Sequence, residues 1–387
     1  MTITFVSNYI NHHQLPFCDA LYERLGKNFC FIQTIPMENE RIAMGWGLDV
    51  TEIPYVRCLY EDEYECRKKI AESDVVLFGW TQRADIEKDR LESGKLTVRI
   101  SERIYREGQW KAISPRGLIA KYNEHIKYRN KNVYLLCAGA YTASDFHLIG
   151  AYPDKMFKWG YFPKTRIYPE GQLENMKKKG PLQLVWAGRF IPLKHPEYVV
   201  RLAETLKERG YDFGIHMLGS GEMEQEIRQQ VKQSGLSDRF TFYGYTEPEK
   251  VRDVMESCHI HLFTSNHLEG WGAVVNEGMN SACVEVANSQ VGAVPYLIEH
   301  GVNGLIFPDN SYQEMEKLVI DLFDNWEERK QMGYAAYRTI VNEWNSEHAA
   351  GALMNFVEGY MAGKIVLQES GPLSPAPVIS PRRTHRS

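Results

Sequence analysis

The sequence predicts an α/β protein with two doubly wound parallel sheets, and three observations carry that expectation. Short apolar runs alternate with amphipathic stretches in both halves of the chain, as parallel sheets covered by helices require. The series occurs twice, separated by a polar stretch without apolar periodicity. The length of 387 residues accommodates two or three domains at ~100–200 residues each.

In the first half, residues 3–8, 29–34, 75–79, 96–101 and 132–138 read as strands. Between the first two, Phe17, Leu21 and Leu25 recur every four residues, one face of a helix that Gly26 ends. In the second half, strand 182–188 leads into a helix whose Val199, Leu202, Ala203 and Leu206 share a face. Pro196 suits its first turn and Gly210 its stop. Further strands are expected at DFGIHMLG, RFTFYGY, HIHLFTS, VEVANS and GLIF, with helices between them. The resulting division is a first domain over 1–165, a linker over 166–180 and a second domain over 181–345. A C-terminal helix over 346–363 and a Ser- and Pro-rich, disordered tail over 364–387 complete it.

Composition narrows the function. A formal net charge of −5 gives no electrostatic case for nucleic acid. The seven cysteines form no CxxC pair, which fits reduced thiols better than a disulfide framework or a zinc site. The chain starts directly in a strand-like run, and no stretch reaches the ~18 apolar residues of a membrane span. The protein is expected to be cytoplasmic, with any membrane contact peripheral, on the inner face.

The chemistry-bearing residues concentrate in the second half. Arg189 and Lys194 follow the strand that ends at Gly188, and cations at strand ends of open sheets suit a phosphate or diphosphate. Solvated loop cations are the plainer reading of the pair taken alone. Gly219 and Gly221 lack the third glycine of a dinucleotide fingerprint, because Glu224 stands there, which argues against a nicotinamide or flavin site. In SNHLEGWGAVVNEGM, Gly270 and Gly272 let the backbone approach a ligand, and the helix start beyond them offers free N–H groups to phosphate oxygens. Glu269 precedes that helix and Glu277 lies within it, eight positions on. Two carboxylates flanking phosphate-binding amides match a nucleotide-diphosphate sugar.

At this point the chain resembles the retaining glycosyltransferases of the GT-B fold, family 4 type (glycosyl transferases group 1). The resemblance rests on EGWGAVVNEGMNSACVEVANSQVGAVPYLIEHGVNGLIF, with GRFIPLKHPE, LGSGEME and FYGYTEPEKV, over roughly 182–308. Asn280–Cys283 and Val291–Ala293 depart from the small-residue and glycine runs usual there. The resemblance implies two Rossmann-like domains facing across a cleft, the first for acceptor, the second for the nucleotide-sugar donor. It implies that Arg189 and Lys194 bind the diphosphate. Glu269 would contact the transferred sugar, with Gly270, Trp271 and Gly272 around it, and Glu277 would bind the ribose. Gly188 and Gly219 join the donor set. Tyr245 or Tyr243 would line the base pocket, with core packing an open alternative for Tyr243.

For the acceptor side, His12 and His13 lie with Asn11 and Gln14 in the loop after the first strand, and Glu102 and Arg103 follow another strand. ISER stands where the family often has a donor-contacting histidine, so no catalytic histidine is carried over. The stretch 121–132 mixes Lys121, Lys127, Arg129 and Lys131 with tyrosines; it suits an anionic lipid surface, an anionic acceptor or plain solvation. The reaction expected is metal-independent transfer of a hexose-type sugar to a glycan, polysaccharide or lipid-linked acceptor with retention. No cofactor is expected, and no DxD motif is present to hold a metal. The alternatives are a sugar-nucleotide epimerase or hydrolase on the same fold, or a non-catalytic nucleotide-sugar-binding subunit.

Overall fold

The computed structural model describes residues 1–38, 47–169, 171–177 and 180–381. Residues 39–46 of the expected first domain, 170, 178 and 179 of the expected linker, and 382–387 of the expected tail lie outside them. Contacts group the chain into two units, Met1–Lys164 with Asn345–Ser387, and Thr165–Trp344.

Among the described residues, the first unit builds a seven-stranded parallel sheet in the order β3-β2-β1-β4-β5-β6-β7. Its strands are β1 Ile3–Ser7, β2 Phe29–Gln33, β3 Val56–Cys58, β4 Val75–Phe78, β5 Thr97–Ser101, β6 Val133–Ala138 and β7 Met156–Trp159. Every residue of β1, β2, β4 and β6 is buried, which is why these strands read as continuous apolar runs rather than alternations. The two edge strands were not expected. β3 (VRC) and β7 (MFKW) are short, each carries a charge, and each buries only alternate residues. Helices α1 Leu15–Leu25, α2 Glu63–Glu72, α3 Ala84–Glu92, α4 Pro115–Glu124 and α5 Thr142–Leu148 belong to this unit.

The second unit has a six-stranded parallel sheet, ordered β10-β9-β8-β11-β12-β13 among the described residues. These are β8 Leu182–Ala187, β9 Phe213–Leu218, β10 Phe240–Gly244, β11 Ile260–Phe263, β12 Val284–Asn288 and β13 Leu305–Phe307. Its helices are α6 Gln172–Met176, α7 Glu197–Glu208, α8 Glu224–Gln233, α9 Pro248–Ser257, α10 Ala273–Asn280, α11 Val294–Leu297, α12 Tyr312–Asp324 and α13 Trp326–Asn342. α7 buries the face its periodicity marks out, Val199, Leu202, Ala203 and Leu206. In each sheet the strand order reverses beside the first strand, between β1 and β4 and between β8 and β11. Ligands of open α/β sheets bind at the carboxyl ends of the strands flanking such a switch point.

The expected linker and the expected tail differ from the sequence-based division, and the late helix finds its place in the first unit. The described part of the polar stretch, 166–169 with 171–177, is packed into the second unit: Arg166 donates to Asp253 and Glu256, each at 2.8 Å, and α6 buries Leu173. Its charges are matched by carboxylates on α9, so polarity there does not mark a solvated linker. The late helix, α14 Ser346–Met361, returns to the first unit, where Arg24 on α1 pairs with Glu347 at 2.6 Å. Within the expected disordered tail, Leu373 and Ser374 are buried, and the segment exchanges backbone hydrogen bonds of 2.8 and 2.9 Å with Lys158 of β7. An edge strand with open ladder groups supplies the pairing that the tail's composition does not advertise.

A buried histidine ties the first sheet to α4. His125 follows that helix directly, and its Nδ1 accepts from the Arg99 guanidinium at 2.7 Å and the Tyr152 hydroxyl at 2.8 Å. Burial, then the charges of Arg99 and Lys121, push its pKa down to about 2. The folded state therefore holds His125 neutral while the unfolded chain binds a proton below the usual value near 6.5. Its contribution is fully present above that value and is lost as pH falls below it. The expected outcome is that His125→Gln narrows the drop in urea midpoint between neutral pH and pH ~5 relative to wild type. An unchanged drop would show that His125 does not carry this acid sensitivity.

Candidate active site

The switch point of the second sheet brings Lys194 and Glu269 together. β8 ends at Ala187, and a single 3₁₀ turn, Pro192–Lys194, carries the lysine back over the strand ends. β11 ends at Phe263 and leads through residues 264–272 to α10. Two loops from adjacent strands thus meet, and a hydrogen-bond relay locks them. Trp186 Nε1 donates to Thr264 Oγ1 at 2.9 Å, and that hydroxyl donates to the Lys194 carbonyl at 2.5 Å. The Asn266 N–H donates to the Leu193 carbonyl at 2.9 Å. The Lys194 ammonium forms an ion pair with the Glu269 carboxylate, and it also lies 5.6 Å from the Phe263 ring centroid. Both side chains keep partial access to solvent, 14% and 18%, as groups that must meet a ligand would. Arg189 is exposed beside them in sequence and pairs with no carboxylate among the described residues.

α10 begins at Gly272, whose φ of +85° is left-handed and whose missing Cβ would stand 2.7 Å from the Phe263 ring. Glycine is required there on both counts. The preceding turn is held from behind: Gly292 N–H donates to the Gly270 carbonyl and Ala293 N–H to the Trp271 carbonyl, each at 3.0 Å. The turn is thus braced by main-chain N–H groups, which do not depend on which side chains stand at Val291–Ala293. Trp271 does not face a ligand. Its side chain is 1% exposed, donates to Asn276 Oδ1 at 2.8 Å and packs against Tyr296 and Trp344. Its size and apolarity place the indole in the core, so only its backbone borders the site.

Glu277 is set apart from the Lys194–Glu269 pair by its surroundings. Enclosure by protein raises its carboxyl above the usual range, against the opposing charges of Arg252 and His261. Arg252 is itself buried and donates to Asn280 Oδ1 at 2.6 Å and to Ser281 Oγ at 3.3 Å. Gly188 lies at the end of β8 and Gly219 at the end of β9. The Gly219 N–H already donates to the Gly244 carbonyl at 2.8 Å, so it has no N–H to give an anion. Tyr245 is half exposed beyond β10, while Tyr243 is partly exposed and its hydroxyl meets His216 Nδ1 at 2.9 Å, which removes core packing as its role.

Several polar groups at this site were not singled out from the linear pattern. His195 stacks on Tyr198, donates from Nδ1 to Glu197 at 2.7 Å and accepts at Nε2 from Asn266 at 3.2 Å. His267 donates to Asp309 at 3.2 Å, and Asn288 donates to the same carboxylate at 2.7 Å. His195 adjoins Lys194 and His267 lies two residues before Glu269, which is the hint a strand-end reading could have used. Below α10, His261 of β11 and Glu285 of β12 are register partners. Both are fully buried, with Nδ1 within 2.8 and 3.0 Å of the two carboxylate oxygens. Gly278 of α10 lies over that pair, and a Cβ there would collide with the Glu285 carboxylate and come within 2.7 Å of the His261 ring.

In the first unit, a cavity of about 770 Å³ opens at the ends of β1, β4 and β5. His13, Glu102 and Arg103 line it, together with Trp80, Arg99 and Tyr161, while His12 is not among its lining residues. His13 stacks on Tyr161, and burial, followed by the charge of His12, pushes its pKa down to about 3. Glu102 accepts from the Tyr161 hydroxyl at 2.6 Å. Arg103 is turned to the buried Asp145 at 3.4 Å, so its charge is already matched from within the fold.

Comparison with known proteins now bears on this geometry. Residues 172–339 match the family model described as glycosyl transferases group 1. Over that stretch, less than half of the chain, the likeness is to the group 1 glycosyltransferases. The chain is 23% identical over 203 residues to the amylovoran biosynthesis glycosyltransferase AmsK of Erwinia amylovora, half of each chain. It is 24% identical over 194 residues to the 2-deoxystreptamine glucosyltransferase of Streptomyces kanamyceticus, 48% of this chain and 49% of that one. The match thus spans about half the length of these relatives. The fold is similar to that of Anabaena HepE in complex with UDP, with a TM-score of 0.68 at 14% identity over 94% of this chain and 99% of the other. It is also similar to sucrose-phosphate synthase of Thermosynechococcus elongatus, with a TM-score of 0.66 at 13% identity over 94% and 100%. The architecture is the two-sheet α/β fold of the GT-B glycosyltransferases.

The buried pair yields a test. Glu285→Ala strands His261 in the core and is expected to cost about 3–5 kcal/mol, whereas replacing both partners with valine is expected to be near neutral. Urea unfolding of the two variants measures this directly. Equal destabilisation by both would mean that packing, not the polar pair, dominates the position.

Proposed function

We propose that this protein transfers a sugar from a nucleoside-diphosphate sugar to an acceptor hydroxyl on a glycan, polysaccharide or lipid-linked molecule, retaining anomeric configuration and needing no divalent metal. The observation that carries the reading is the Lys194–Glu269 ion pair at the β8/β11 switch point, directly before the start of α10. The glycosyltransferase family match over 172–339 supports it, as does the likeness of fold to a protein solved with UDP.

In this mechanism the bond between the anomeric carbon and the diphosphate oxygen breaks while the acceptor oxygen bonds to that carbon. The acceptor's proton passes to the departing phosphate. Negative charge grows on the diphosphate, and Arg189, Lys194 and the first amides of α10 are the groups preorganised to receive it. Glu269 has two roles: it holds the Lys194 ammonium in place and accepts hydrogen bonds from the donor sugar's hydroxyls. Glu277, with its raised carboxyl, takes the ribose hydroxyls. Exposed Tyr245 borders the base. On the acceptor side, the first-unit cavity supplies His13, Glu102 and the flanking aromatics as hydrogen-bonding and stacking groups for a sugar-like acceptor.

Replacing Arg189 or Lys194 with Ala is expected to lower kcat by ~10²–10³, as losing one preorganised donor at a developing anion does. Lys194→Ala combined with Glu269→Ala should cost less than the sum of the single changes, because the two side chains touch. Glu277→Ala should act mainly on donor KM. Turnover within a few-fold of wild type for both cation variants would remove the diphosphate site. Free sugar or an epimer as the only product would replace the transferase with a hydrolase or epimerase, and loss of turnover with chelator would remove the metal-free mechanism.

A further inference from the structure

Three strand ends of the second unit carry a polar chain that has no part in the mechanism so far. His267, on the loop between β11 and α10, donates from Nδ1 to Asp309 Oδ2 at 3.2 Å. Asp309 lies two residues past β13, and its Oδ1 accepts from Asn288 Nδ2, at the end of β12, at 2.7 Å. Asn310 Nδ2 adds a longer contact to Oδ2 at 3.4 Å. The Asn288 amide is itself held in this orientation, because its Oδ1 accepts from the Gln290 N–H at 2.9 Å. The Asp309 side chain is 8% exposed. Burial pushes its carboxyl up, but the hydrogen bonds from His267 and Asn288, with the charges of His267 and His195, bring it below the usual range. It is therefore a carboxylate at neutral pH, and it keeps the proton on Nδ1 of the imidazole.

The backbone on both sides of His267 is fastened. The Asn266 carbonyl accepts from the Glu269 N–H and Asn266 Oδ1 from the Leu268 N–H, each at 3.0 Å. Residues 266–269 are thus a closed turn that carries His267 and Glu269 together. Asn266 Nδ2 donates to His195 Nε2 at 3.2 Å, which ties the turn to the residue after Lys194. With Nδ1 committed to Asp309, His267 Nε2 has no protein partner among the described residues, and the side chain is 27% exposed. One ring nitrogen is fixed and the other is open to a ligand.

Charge says which part of a nucleotide sugar that nitrogen suits. The Asp309 carboxylate behind the ring repels a phosphate. A hydroxyl is served in either protonation state, since it donates to a neutral Nε2 and accepts from a protonated one. We infer that His267 is a further substrate-contacting residue, whose Nε2 hydrogen-bonds a hydroxyl of the transferred sugar, with Asp309 and Asn288 as positioning residues behind it. His267 and Glu269 then read the sugar from one turn, whose geometry sets their spacing and so the hydroxyl configuration they accept. The inference rests on the nucleotide-sugar reading of this site and adds to it the groups that choose the sugar.

The test is calorimetric titration of the full chain with UDP-glucose, UDP-galactose and GDP-mannose, and with UDP and GDP alone. His267→Ala is expected to weaken binding of the accepted sugar nucleotide by ~10–10²-fold, the loss of one hydrogen bond to a group held by a charge. Binding of the bare nucleoside diphosphate should be unchanged. His267→Gln, which keeps a hydrogen-bonding amide at a similar reach, should recover part of the loss. Asp309→Asn should weaken the same ligand less, and the double change should cost less than the sum. A merely structural role would weaken sugar nucleotide and bare diphosphate alike, and that result would overturn the inference. So would wild-type affinity of both His267 variants for the sugar nucleotide, or a wild type that binds the diphosphates and none of the three sugar nucleotides. A chain that binds neither class of ligand would remove the nucleotide-sugar reading and this inference with it. The selective loss in His267→Ala, found in a chain that forms no glycoside, would leave His267 standing and remove the transferase alone.

Discussion

The candidate donor site depends on one short relay, from Trp186 through Thr264 to the Lys194 carbonyl. Trp186 is 2% exposed and belongs to the second unit's core, so its indole N–H must find a partner inside the fold. The one it finds is the first residue past β11. Thr264 in turn donates its hydroxyl hydrogen bond to the loop that bears Lys194. A core side chain thereby sets the distance between two strand-end loops, and the ion pair with Glu269 forms on that fixed base. An ion pair made by two free loops would be worth little and would wander. Made on loops already stitched together, it presents a positioned ammonium.

A second constraint acts from beneath. The His261–Glu285 pair fills the space where Gly278 has no side chain, and this lets α10 come down onto the sheet. The approach carries Glu277, one residue earlier, into a protein-enclosed setting where its carboxyl is raised. Buried polar pairs of this sort seldom add stability over apolar residues of equal volume. What this one adds is a defined height and register for the helix that starts at Gly272. The same helix thus has its start fixed by the brace from Gly292 and Ala293, and its body fixed by the buried pair.

The fold was legible where strands are buried on both faces, because ITFVS, VVLF and VYLLCA can be little else. It was less legible at the edges. VRC and MFKW look like loop because an edge strand covered on one side carries charges. The polar stretch around Arg166 and the tail beside β7 were misjudged for a related reason, since their partners on α9 and at Lys158 are distant in sequence. Within the candidate site, Arg189, Lys194, Glu269 and Gly272 follow strand ends, but the family resemblance, not their position alone, singled them out. Trp271 was less legible, because an aromatic between two glycines reads equally as a ligand platform or a core plug. His261 and Glu285 were illegible: only the register of β11 on β12 makes them neighbours.

Two glutamates of one short motif therefore meet two environments. Glu269 lies against an ammonium at the mouth of the strand ends, partly open to solvent. Glu277 sits more than one turn into α10, near the buried Arg252 and over an internal histidine, with its carboxyl raised by enclosure. Chemically equal side chains are separated into unlike roles by what surrounds them, which is how sites assign work among carboxylates. Glu269 holds its lysine partner at the strand ends, each side chain keeping partial access to solvent. In the proposed reading, contact with the reacting sugar goes to Glu269 and the ribose anchor to Glu277.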